Sequence, residues 1–143
     1  RAGFDARRAA GPFAARAAVQ TEVTVPAITE LLAQLDGIRA EEPEASELRE
    51  VKDYLVGVFP LRFETTGGVA GAIEPLAIYG LDDDYWKAYR GHIEEVTAAD
   101  VHEAAEQLIT PDDLLILLTG DAAKLTDGLT EAGFGPMEVI QAD

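Results

Sequence analysis

At 143 residues, 48% of them apolar, the chain has the length of one domain and enough hydrophobic material for a core, which excludes wholesale disorder. It contains no cysteine, so disulfides, thiolate zinc sites and cysteine nucleophiles are excluded while the compartment stays open. A net charge of −16, from 11 basic and 27 acidic residues, repels phosphate backbones and excludes nucleic acid as an expected partner; it suits a soluble acidic surface or attraction to basic peptides.

The chain opens directly in a strand pattern, with neither a methionine nor a signal-peptide pattern before it. Phe4, Ala6 and their neighbours form an extended run, and Gly11-Pro12 makes a turn. Phe13, Ala15, Ala17 and Val19 then alternate with Ala14, Arg16, Ala18 and Gln20, the period of a strand. A strand at residue 1 needs partners, so the sequence is expected to be a piece of something larger. Thr24 is expected to cap a first helix, with Pro26 in its first turn and Ile28, Leu31, Leu32, Leu35 and Ile38 on one face. An acidic link with Pro43 follows. A second helix carries Leu48, Val51, Leu55 and Val58 and stops at Pro60.

Thr65 or Thr66 starts a third helix with Val69, Ile73 and Leu76, which Pro75 can kink and Gly80 can cap. Asp82 to Asp84 open a fourth, where negative charge suits the helix dipole, with Tyr85, Trp86, Tyr89 and Ile93 on its apolar side. Thr97 to Asp100 resembles a capping box for a fifth helix carrying Val101, Ala104, Ala105, Leu108 and Ile109. After a turn at Thr110 to Asp113, Leu114 to Leu118 reads as a strand buried on both faces. Thr119-Gly120-Asp121 launches a short helix with Leu125 and Leu129, and Met137 to Ile140 reads as a last strand. The expected fold class is α+β: one mostly antiparallel sheet packed on one side by several helices, in a single domain over residues 1–143. The last strand, helix and strand form a right-handed crossover if the two strands are parallel.

The chemistry candidates each have an ordinary alternative. His102-Glu103-Ala104-Ala105-Glu106 has the outline of a zinc-peptidase helix, but Glu106 stands where a second histidine belongs. The other histidine, His92, lies on another helix near Glu94 and Glu95. The ordinary reading is a solvated helix face. The carboxylate pairs Glu41-Glu42, Asp82-Asp83-Asp84, Glu94-Glu95 and Asp112-Asp113 all fall at helix ends or turns, where capping and solubility explain them better than acid–base catalysis. Gly67-Gly68 and Gly71 lack the Lys-Ser/Thr of a phosphate loop. Tyr85, Trp86 and Tyr89 read as a cluster at the core's edge rather than a ligand cage. Ser46 is the only serine and has no histidine in local support. Arg7-Arg8 face either solvent or a partner. No catalytic, substrate-binding or metal-binding residue is therefore assigned in this chain.

Several landmarks nonetheless recur in a familiar order. Phe4-Asp5-Ala6-Arg7-Arg8-Ala9-Ala10-Gly11-Pro12-Phe13 leads into Val19 to Thr24. Glu47-Leu48, Val51-Lys52 and Tyr54-Leu55-Val56-Gly57 look like an "E-L-x-x-A-K-x-x-L" helix, followed by Leu61-Arg62-Phe63-Glu64-Thr65. Tyr79-Gly80-Leu81, Tyr85-Trp86, Val96-Thr97-Ala98-Ala99-Asp100-Val101 and Thr119-Gly120-Asp121 complete the series. Over nearly all its length the chain resembles the C-terminal domain of the insulinase/pitrilysin zinc metallopeptidases, the inverzincins, and their processing-peptidase relatives.

That resemblance implies a clamshell-type peptidase in which homologous α+β domains enclose a chamber and cut extended peptides. It places zinc, held by His-x-x-Glu-His with a distant Glu, in the other half. It implies a substrate-holding Arg and Tyr in a stretch like "L-R-x-x-x-G-x-x-Y" just before the hairpin, which no Arg or Tyr of this chain matches. The expected function is a non-catalytic C-terminal domain that docks on a zinc-bearing N-terminal half or partner subunit, around a peptide substrate. The alternative is a stand-alone interaction or assembly domain of an inactive processing-peptidase-like subunit. The exposed hairpin edge also admits a peptide or a second copy of the chain as partner.

Overall fold

The computed structural model describes residues 1–141, apart from the side chain of Asp112. It is 62% helix and 4% strand, which overturns the expected α+β fold with a mostly antiparallel sheet. Two strands, β1 (Ala2–Phe4) and β2 (Phe13–Ala15), form the one sheet among the described residues. Six α-helices follow: α1 (Thr24–Ala40), α2 (Ala45–Val58), α3 (Thr66–Tyr79), α4 (Tyr85–Glu95), α5 (Ala98–Leu108) and α6 (Ala122–Glu131).

The helices lie where the apolar spacing put them, because their start and stop signals are local. The Thr97 hydroxyl accepts from the Asp100 amide and the Asp100 carboxylate accepts from the Thr97 amide, so the expected capping box closes in both directions. Thr65 accepts from the Gly68 amide at 3.0 Å and caps α3, and Gly80 ends it in the left-handed conformation. Asp121 caps α6 through the Ala123 amide. Thr24 does not cap α1. A 3-10 turn at Thr21–Val23 precedes it, and the Thr24 hydroxyl donates back to the Gln20 carbonyl.

The hairpin pairs Ala2 with Ala15, Gly3 with Ala14 and Phe4 with Phe13, and its first and last bonds join Arg1 to Arg16 and Asp5 to Pro12. Its loop closes only around a glycine: a Cβ on Gly11 would stand 1.7 Å from the Asp5 carbonyl oxygen. The ladder described ends at the bond between Arg16 and Arg1. The tracts 114–118 and 137–140 pair with neither strand, and the expected crossover is absent with them. Strand pairing is a long-range choice that an apolar run cannot specify alone. Here Leu114 leans on helices instead of entering a sheet.

Two packing centres hold the helices. In one, Leu35 of α1 meets Ala105 of α5 and Ile109 just beyond it, with Phe13, Leu31 and Leu114 around them. Helix α6 adds buried Leu125 and Leu129 and packs on α1. In the other, a 3-10 segment, Phe59–Phe63, joins α2 to α3 and lays its rings against α4. Phe59 stacks on Tyr89 at 4.8 Å, and Phe63 meets Trp86 edge-on.

Burial predicts sharply different costs along the chain. Ile109→Ala should lower the unfolding free energy by about 2–4 kcal/mol. Leu117→Ala, at an exposed position, should change it by less than about 0.5 kcal/mol. Urea titrations of both variants check the contrast, and a Leu117 variant as costly as the Ile109 one would contradict this packing.

Candidate functional site

Some of the polar side chains that invite a chemical reading are engaged by the fold, and others are exposed. Zinc was the sharpest possibility, and His102 is its key. Its Nε2 lies 2.9 Å from the Arg39 carbonyl in the last turn of α1. A carbonyl only accepts, so Nε2–H donates there and that nitrogen has no lone pair for a metal. The tie joins α5 to the end of α1, where helix carbonyls lack an internal donor. Among the described residues no three His, Asp or Glu side chains gather as a metal site would need.

The carboxylate pairs are dispersed. Glu41 and Glu42 are exposed just past α1, Asp82 to Asp84 are exposed before α4, and Glu94 and Glu95 close α4. Asp113 is exposed in the 3-10 turn 111–113, and the Asp112 side chain lies outside the described residues. Asp100 has a displaced acidity: its hydrogen bonds from the Thr97 side chain and backbone hold it below its ordinary 3.8. Those bonds are the capping box, so the shift belongs to the helix and not to a reaction.

Gly68 is explained by contact. A Cβ there would sit 2.2 Å from the Arg62 carbonyl oxygen, so the glycine lets the 3-10 segment run close over the start of α3. The aromatic cluster forms as expected, and Arg62 lies over the Trp86 ring at 5.0 Å. Arg7 closes on Asp5 at 2.9 Å, while Arg8 is exposed. Ser46 and His92 are exposed on separate helices.

Three ties were not legible beforehand. Lys52 of α2 donates to the Val96 carbonyl at 2.7 Å, at the end of α4. The Tyr79 hydroxyl donates to the Ala6 carbonyl at 3.0 Å and steadies the hairpin loop. The Trp86 indole donates to the Ala72 carbonyl at 2.7 Å. Pro75 leaves the Gly71 carbonyl without its helical donor, one residue from the Ala72 carbonyl, which nothing in the sequence singles out.

Two concavities remain. One, about 430 Å³, lies between α2, the end of α4 and the start of α5; its charged lining is balanced, Arg49 and Lys52 against Asp53 and Glu94. The other, about 220 Å³, is wholly apolar and lies beside the hairpin, between Phe4, Ile38, Val101 and Ile109. Among the described residues, no helix is long and apolar enough to cross a membrane.

Several large apolar side chains are left uncovered, and the total surface is large. The chain exposes 11228 Å², whereas a compact monomer of 15.3 kDa exposes roughly 7,100 Å² by mass scaling. Leu115, Leu117, Val139 and Ile140 are all more than half exposed. No known family model matches the chain, and no curated protein matches it either.

Two outcomes follow from the ties. His102→Phe should cost about 0.5–1.5 kcal/mol through the lost hydrogen bond, and the loss should be the same with and without added zinc. Asp100 should make α5 pH-sensitive in one direction. Its folded acidity lies below the ordinary 3.8, so its contribution is complete above that value and is lost as pH falls through the lowered one. Denaturation at neutral pH and at about pH 3 should show Asp100→Asn losing less stability on acidification than the native chain.

Proposed function

We propose that this chain is a non-catalytic assembly domain of an insulinase-type zinc peptidase system. It docks on a zinc-bearing half or partner subunit and closes part of the chamber around a peptide substrate. One observation carries the docking: the surface exceeds that of a compact monomer by roughly 4,000 Å². A standard interface removes only about 800 Å² from each partner, so the excess suits an extensive, obligate contact. The peptidase part rests on the ordered landmarks from Phe4-Asp5 to Thr119-Gly120-Asp121.

No catalytic step is given to this chain. Zinc in the other half would supply the activated water, and nothing in this donor set replaces it. What the chain contributes is a wall with a strong acidic excess, suited to basic stretches of an extended peptide.

The parent gene or its neighbour should encode His-x-x-Glu-His. That half, expressed together with this chain, should form a stoichiometric complex whose peptidase activity is lost when this chain is left out. A neighbour lacking both the zinc motif and the Arg/Tyr pair would instead favour the assembly domain of an inactive subunit. Stoichiometric zinc on this chain alone, abolished by His102→Ala, would overturn the proposal.

A further inference from the structure

We draw no further inference here: the strongest candidate, the cavity of about 430 Å³ between α2, the end of α4 and the start of α5, carries nothing, because its rim charges Arg49, Asp53 and Glu94 are exposed and opposed in sign and the half-buried Lys52 is already bound to the Val96 carbonyl, so no group there selects a ligand.

Discussion

The contact between α1 and α5 is what the rest of this structure depends on. It is made by Leu35 against Ala105 and Ile109, three of the few side chains that the fold buries well. Alanine at position 105 presents almost no side chain, so it allows the facing helix to come close, and the branched Ile109 fills space at the helix end. The Thr97–Asp100 capping box fixes where α5 begins and hence which residues reach α1. Phe13 of the hairpin and Leu114 of the following tract both rest on this centre. The His102 bond to the Arg39 carbonyl fastens its other side. A change in the register of α5 would therefore release the hairpin, the end of α1 and the start of the 114–118 tract together.

The second centre works by the same logic with different chemistry. Phe59, Phe63, Trp86 and Tyr89 replace aliphatic packing with offset and edge-on rings. Polar atoms around both centres are directed mainly at backbone carbonyls near helix ends or a proline: Lys52 to Val96, Trp86 to Ala72, His102 to Arg39. These carbonyls lack ordinary helical donors or lie beside ones that do, and leaving such groups unpaired costs more than a paired one contributes. The histidine that looks reactive in the sequence, and Lys52 with it, thus act as structural donors. That is a physical reason for assigning them no chemistry, separate from any family resemblance.

The helices were legible because their signals lie within a few residues. Thr97 with Asp100, Thr65 before Gly68, Gly80 after Tyr79 and Asp121 before Ala122 each state a boundary locally. The sheet was not legible, because pairing depends on what lies opposite. Phe13 to Val19 alternates well enough for a full strand, yet the strand itself covers only Phe13–Ala15. Leu114 to Leu118 reads as uniformly apolar, and only packing shows that its two faces are unequal. The site's ties were hidden for a similar reason: Lys52 and Val96 are 44 residues apart, and His102 and Arg39 are 63 apart. Pattern along a chain carries no information about such meetings.

Acidity and uncovered apolar surface have to be understood together. A neutral chain that left Leu115, Leu117 and Ile140 this exposed would be an aggregation hazard through its unpaired tract. A body charge of −16 opposes that outcome at long range, because any approach of two copies brings like charge together before the tracts can meet. The protection is conditional. Screening shortens its reach to about 8 Å at physiological ionic strength, so it discourages encounter without preventing a complementary partner from binding.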